Sequence, residues 1–253
     1  MRLFVLASGS AGNCMVIEQE GCFVVVDSGL SYRCFRERLS AAGFCGGVPA
    51  GILLSHEHSD HSRGIGVLAR KLGVPVYATP GTIEAMADVV GRGVDFVPAR
   101  NGSWFEAGPF GVGPFSLPHD ASDPSGYVIE AAGSRIGIAT DLGSSGDLSR
   151  SALSGCDAVV LEFNHDEDML WSGGYPWPLK QRIASATGHL SNAAAAELLG
   201  RVLHGNLRHV VLAHLSQENN TPGLALETAR TVAGREMALA VGRPDRPLEA
   251  VEL

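Results

Sequence analysis

The sequence predicts an α/β protein of four layers, two β-sheets packed face to face with helices on both outer sides, an αββα sandwich. Three observations carry this expectation. Short β-type runs come first one after another, then alternate with helix-type segments, and then the pattern repeats, which fits two sheets better than one doubly wound parallel sheet. At 253 residues, 45% hydrophobic and 18% charged, the chain can bury a full core, and it reads as a single domain over 1–253. Five apolar runs also close on or near a side chain able to bind metal: Asp27, His56, Asp141, His165 and His214. Facing sheets would bring such ends to one shared rim.

The β-type runs, in chain order, are "RLFVLAS", "MVIEQ", "FVVVDSG", "GILLSH", "VPVYATP", "VDFVPA", "GYVIEAA", "RIGIATDLG", "AVVLEFNH" and "RHVVLAHLS". Each is short and rich in Val, Ile and Phe, and most end in Gly, Pro, Ser, Asp or His. Between them "SYRCFRERLSAAG", "SRGIGVLARKLG", "GTIEAMADVVG", "SNAAAAELLGRVLHG" and "PGLALETARTVAGRE" read as helices, with capping residues before and glycine after. No Ser/Gly linker, low-complexity tract or short repeat interrupts them.

Composition narrows the class. No apolar run approaches the length of a membrane helix, and the apolar stretch in "RLFVLASGS" is too short for a secretory signal, so a cytoplasmic protein is expected. Five scattered cysteines, Cys14, Cys22, Cys34, Cys45 and Cys156, form no Cys-x-x-Cys pair and read as reduced thiols. The net charge of −8 argues against a broad basic surface for nucleic acid. A polyanionic substrate then needs local positive charge, which bound divalent metals supply.

The densest signal is "LLSHEHSDHSRG" (53–64), with three histidines and two carboxylates inside residues 56–61. It lies in the turn between a buried strand and a helix, where function collects on a rigid scaffold. An extended backbone puts His56 and His58 on one side, and Asp60 and His61 follow as the chain enters the helix. A plain helix cap accounts for Ser59, Asp60 or Ser62 but leaves the histidines without a role. Two adjacent metals are expected, one on His56 and His58, the other on Asp60 and His61, with Glu57 facing away. Imidazole and carboxylate suit Zn²⁺ or Mn²⁺, with Fe²⁺ as a competitor.

"HEHSDH" resembles the His-x-His-x-Asp-His signature of the metallo-β-lactamase superfamily. The resemblance implies the αββα fold and extends in chain order. Asp27 in "FVVVDSG" matches an aspartate that supports the site from behind the ligands. His119 in "SLPHDA" matches the third histidine of the first metal, Asp141 in "IATDLG" the bridging carboxylate, and His214 in "VVLAHLS" the last histidine of the second metal. His58 stands where di-iron members carry Glu, which favours a hydrolytic site.

"LASGSAGNC", "LEFNHDEDMLWSGGYPWPLKQRI", "GHLSN" and "LAHLSQENNTP" resemble the YycJ/WalJ (VicX) subgroup of bacterial metallo-β-lactamase-fold proteins. This implies a metal-dependent 5′-to-3′ DNA exonuclease without the β-CASP insertion, acting through a metal-bridging hydroxide, with DNA favoured over RNA and no membrane partner. Asp60 and His189 are the expected catalytic side chains, with His189 or a metal-bound water protonating the leaving 3′ oxygen. Ser10, Asn13, His165 and His189 are candidate substrate contacts. "GSAGN" reads either as a phosphate-approaching nest or as a plain hairpin turn, and the helix after "GHLSN" offers its N-terminus to a phosphate. Trp171, Tyr175 and Trp177 with Lys180 and Arg182 form either a base-stacking surface or a self-packed loop. The rival readings are a metallohydrolase of small thioesters, lactones or cyclic phosphodiesters, and a metal-holding binding protein.

Overall fold

The computed structural model describes residues 1–253. The first half runs β1 (Arg2–Ala7), β2 (Cys14–Gln19), β3 (Cys22–Val26), α1 (Tyr32–Ala41), β4 (Val48–Leu53), α2 (Ser59–Ser62), α3 (Ile65–Leu72), β5 (Val76–Ala78), α4 (Pro80–Met86) and β6 (Phe96–Pro98). The second runs β7 (Phe105–Ala107), β8 (Phe110–Ser116), β9 (Ser125–Ala131), β10 (Ser134–Ala139), α5 (Asp147–Leu153), β11 (Ala158–Glu162), α6 (Glu167–Ser172), α7 (Trp177–Ile183), α8 (Asn192–Val202), β12 (His209–Ala213), α9 (Pro222–Ala233), β13 (Ala238–Val241) and β14 (Val251–Glu252). No helix is long and apolar enough to cross a membrane.

Two seven-stranded sheets form, ordered β14-β1-β2-β3-β4-β5-β6 and β13-β12-β11-β10-β9-β8-β7. Strand alternation divides the apolar residues into three layers. Leu3, Val5, Met15, Ile17 and Val24 of one sheet meet Phe110, Val112, Tyr127, Ile129 and Val160 of the other. Their neighbours Phe4, Leu6, Val16 and Val25 turn outward onto Phe35, Leu39, Ile65 and Leu68 of α1 and α3. Val159, Leu161, Val210 and Leu212 do the same against α5, α8 and α9. The result is the four-layer sandwich that the sequence predicts.

Each sheet begins antiparallel and ends parallel. Hairpins close at Glu20-Gly21 and Ala132-Gly133, both pairs at positive φ, the backbone of a type I′ turn. From β3 to β6 and from β10 to β13 neighbouring strands are parallel. Ligand sites gather at the carboxyl ends of such strands. Two bonds pin the sheets together beside that end: the enclosed Tyr127 hydroxyl donates to the Leu54 carbonyl at 2.7 Å, and Ser125 N–H to the Ser55 carbonyl at 3.0 Å.

The structure divides one expected helix. "SRGIGVLARKLG" forms α2 and α3, broken at Arg63-Gly64. A Cβ on Gly64 would overlap the Leu30 carbonyl, so the chain bends where it touches the β3–α1 loop. The structure also adds β7, β8, β13, β14 and α5 to α7, none of which the runs above marked.

Candidate metal centre and its supports

The "HEHSDH" turn is held in place by backbone bonds from three directions. Asn13 N–H donates to the Asp60 carbonyl and Ser28 N–H to the His61 carbonyl, both at 2.7 Å; inside the turn, Ser62 Oγ donates to the Glu57 carbonyl. Arg63 donates to the carbonyls of Gly29 and Ala11. Gly29 lies so close that a Cβ would overlap the Asp60 carbonyl. Gly29→Ala is therefore expected to displace the turn at about 1–3 kcal/mol, the usual penalty for overpacking. At roughly 2–4 °C per kcal/mol for a protein this size, a melting curve reads the change directly.

Four groups of side chains converge closely enough to share an ion: His56, His58 and His119; Asp60, His61 and His214; His56, His61 and Asp141; and Asp141, Glu162, His189 and His214. His58 Nδ1 lies 3.3 Å from His119 Nε2. On the other side His214 Nε2 lies 3.3 Å and His61 Nε2 3.4 Å from Asp60 Oδ2. Asp141 stands between, its Oδ2 3.0 Å from His61 Nε2, its Oδ1 3.5 Å from His214 Nε2 and 3.9 Å from His119 Nε2. His56 Nε2 and Asp141 Oδ2 are buried without a hydrogen bond, which suits metal-ligand atoms better than structural ones. This donor set fits a divalent metal.

Partners behind the cluster orient its nitrogens. Asp27 Oδ2 lies 2.7 Å from His61 Nδ1, and Asp27 in turn accepts from Ser55 N–H and Oγ. His119 Nδ1 donates to the Gly188 carbonyl, which leaves Nε2 bare toward the cluster. Glu162, at the end of β11 and fully enclosed, does most. Its Oε1 accepts from His189 Nδ1 at 2.8 Å and from His214 Nδ1 at 3.2 Å, while Oε2 accepts from Leu142 N–H and Leu190 N–H.

Charges in this pocket stabilise one another. Burial opposes a charge on His61, yet Asp141 and Asp27 outweigh it and hold the imidazole well above its usual pKa. His214 is pushed up to about 10 against burial by Asp141, Asp60 and Glu162. Burial works against the Glu162 carboxylate too, but His189 and His214 bring it down to about 2. Burial lowers His56, His119 and His165, favouring neutral rings. Without metal, His61 and His214 thus carry protons at neutral pH. Because the His214 value is raised, its stabilisation is fully present below the unfolded value near 6.5 and fades as pH climbs through about 10. Zn²⁺ must displace these protons, so loading at neutral pH is expected to release about two protons, with affinity rising with pH. An indicator dye in weak buffer counts them.

Every expected metal ligand reaches this cluster, but several expected substrate contacts do not reach solvent. Asn13 is fully buried: Oδ1 accepts from Gly9 N–H, and Nδ2 reaches Asp60 Oδ2 at 3.2 Å and His61 Nε2 at 2.9 Å. It braces the turn from inside. In "GSAGN" Gly9, Gly12 and Asn13 spend their N–H groups within the chain, which leaves only those of the exposed Ser10 and Ala11. At α8, Asn192, Ala194 and Ala195 N–H are taken by the His165 carbonyl, Ser191 Oγ and the Ser191 carbonyl, so that N-terminus is mostly satisfied. Lys180 is buried and donates to the carbonyls of Trp171 and Gly173, which rules out a substrate role. Glu57 does face away, accepting from Ser122 N–H and Oγ on the loop that carries His119.

What remains at the mouth is polar. Ser10, His58, Asp60, Arg182, His189 and His214 line it with no apolar side chain. Arg182, anchored by Asp120 at 2.6 Å, also borders the adjoining cavity of about 190 Å³ beside Tyr175 and Ser216. His189 Nδ1 lies 3.7 Å from Asp141. His165 sits deeper, 3% exposed, and belongs to none of the ligand groups.

The profile described as "Beta-lactamase superfamily domain" matches residues 24–215, the span that holds every residue of this cluster. The chain belongs to the β-lactamase superfamily. "Exodeoxyribonuclease YycJ" of Bacillus anthracis is 38% identical over 227 residues, 87% of this chain and 84% of that one. "Exodeoxyribonuclease WalJ" of Streptococcus pneumoniae is 37% identical over the same shares. Solved structures align along the whole chain and share its fold. YhfI of Bacillus subtilis gives a TM-score of 0.75 at 17% identity, covering 98% of this chain and 100% of its own. Zn²⁺-bound PqqB of Methylobacterium extorquens gives 0.73 at 20%, covering all of both.

Two supports of this superfamily site leave no mark in the sequence. Glu162 was hidden inside the apolar run "AVVLEFNH", whose terminal His165 drew attention instead. Ser55 precedes the histidines as an unremarked small residue, yet bridges Asp27 to the first of them.

Proposed function

We propose that this chain is a phosphodiesterase dependent on two divalent metals, Zn²⁺ or Mn²⁺, that removes nucleotides from the 5′ end of DNA. The observation that carries the reading is the Glu162–His189 pair beside the cluster. Glu162 holds His189 by Nδ1, leaving Nε2 open at the polar mouth. Such an imidazole serves a leaving oxygen rather than a metal already supplied with ligands. The curated relatives named exodeoxyribonucleases point to the same substrate.

The roles follow from the geometry. His56, His58 and His119 would hold one ion, Asp60, His61 and His214 the other, with Asp141 between them. Bound there, the ions supply Lewis acidity at the phosphoryl oxygens and an activated water. Asp27 and Glu162 keep the imidazoles turned so that their free nitrogens face the cluster. Burial opposes a charge on His189, but Glu162 and Asp141 raise its pKa and favour the protonated ring. His189 then gives its Nε2 proton to the departing 3′ oxygen as the P–O bond breaks. Arg182 meets substrate phosphate at the mouth, and Ser10 lies beside it.

Metal-free protein loaded separately with Zn²⁺ and Mn²⁺ tests this against 5′-phosphorylated duplex DNA, single-stranded DNA, RNA, a small phosphodiester and a thioester. Mononucleotides released from the 5′ end of DNA are the expected product. Turnover of the thioester with indifference to DNA would instead support a small-molecule hydrolase, a reading the wholly polar mouth disfavours.

A further inference from the structure

A second cleft of about 290 Å³ shares His189 with the polar mouth but contains no member of either proposed triad. Its walls include Gly143, His165, Glu167, Trp171 and Ser191. His165 is 3% exposed, and neither ring nitrogen makes a hydrogen bond; Nδ1 is fully enclosed. An enclosed N–H without an acceptor is rarer and costlier than an enclosed lone pair. The ring hydrogen therefore sits on Nε2, the nitrogen left to face the cleft. Glu167 accepts from Ser191 Oγ through Oε1, leaving its other oxygen as an acceptor. Trp171 stays 43% exposed, tilted against Trp177 at 5.4 Å.

One donor, one acceptor and an indole face, with no Lys or Arg among the lining residues, describe a pocket for an uncharged planar heterocycle. Glu167 makes it a poor place for phosphate. In the reaction proposed above, the group whose oxygen His189 protonates is the 5′-terminal nucleoside, so its base must lie on the His189 side of the scissile bond. We propose that this cleft is the base subsite for the 5′-terminal nucleotide, which stacks on Trp171 and meets His165 Nε2–H and Glu167 with its polar edge. The assignment rests on the exonuclease reading and deepens it.

Binding and kinetics test it independently. In calorimetry with the metal-free protein, deoxyadenosine 5′-monophosphate is expected to bind, whereas deoxyribose 5-phosphate and inorganic phosphate bind at least tenfold more weakly. Trp171→Ala, at a half-exposed position that leaves the fold intact, is expected to weaken the nucleotide about tenfold, within the range that stacking of one base contributes. His165→Phe, which keeps a ring but removes Nε2–H, should weaken it as well. With metal loaded, kcat/KM on duplex DNA should fall about tenfold when the 5′-terminal residue is made abasic, and Trp171→Ala should no longer distinguish the two ends. DNA hydrolysis with equal rates on intact and abasic ends, or nucleotide binding unchanged by Trp171→Ala, overturns the subsite. Nucleotide binding through Trp171 without any DNA hydrolysis retains the subsite and overturns the exonuclease reading instead.

Discussion

Glu162→Gln is expected to lower hydrolysis by about a thousandfold, because it disturbs a general acid worth about 10²–10⁴ and a metal-binding imidazole together. The carboxylate accepts four hydrogen bonds, two from imidazoles on one oxygen and two from Leu142 and Leu190 N–H on the other. An amide has only one accepting oxygen. If that oxygen serves the backbone, the amide NH₂ faces His189 and His214 Nδ1 and drives their hydrogens onto Nε2. On His214 that nitrogen is the one the metal needs, and on His189 the lost Nδ1 hydrogen bond to a carboxylate removes what keeps the ring in its charged, acidic form. Metal content by atomic emission should fall together with the rate. The alkaline limb of the pH profile should also move to lower pH, because His189 loses the carboxylate that favours its protonated ring, a change that mere loosening of the fold would not produce. Activity within tenfold of the parent at saturating metal would refute the positioning role. Glu162→Ala tests less cleanly, since it leaves two buried N–H groups unpaired at about 1–3 kcal/mol each.

Asp60→Ala should have an effect as large by a different route. Its side chain is one-fifth exposed and its backbone carbonyl keeps the bond from Asn13 N–H, so the fold should survive. What disappears is the only carboxylate in the triad with His61 and His214. Metal stoichiometry is expected to drop from about two ions to about one, and phosphodiester hydrolysis by about a thousandfold or more, because paired ions stabilise both ends of an in-line displacement. His56→Ala should empty the opposite triad with the same consequence. Full activity from an Asp60→Ala protein holding one ion would end the two-metal account.

The layers and the ligand cluster were legible because both leave periodic or dense marks in the chain. Strands such as "FVVVDSG" and "AVVLEFNH" announce buried parallel β-structure, and three histidines in one turn have no ordinary structural purpose. What stayed hidden depends on contacts between distant segments. Glu162 looks like any residue inside an apolar run, and its value appears only when β11 places it under β12 and the "GHLSN" loop. Asn13 was read as a substrate contact because small polar loops often are, whereas folding Asp60 onto it turned it inward. For Lys180 the sequence leaves a base-stacking surface and a self-packed loop both open, and the fold decides for the loop by enclosing its ammonium among carbonyls at the end of α6. β8, "FGVGPFS", carries too much Gly and Pro to read as a strand, yet it is paired to β9 from Gly111 to Ser116.

Asp27, Asp141 and His214 each leave their strands in the left-handed backbone region, at φ of 58°, 61° and 53°. That conformation costs a side-chain-bearing residue of order 1 kcal/mol relative to glycine. Glycine would relieve that strain but would leave buried partners such as His61 and Ser55 without their acceptor, at about 1–3 kcal/mol per group, so each position keeps its strained backbone for the sake of the side chain it points into the cluster.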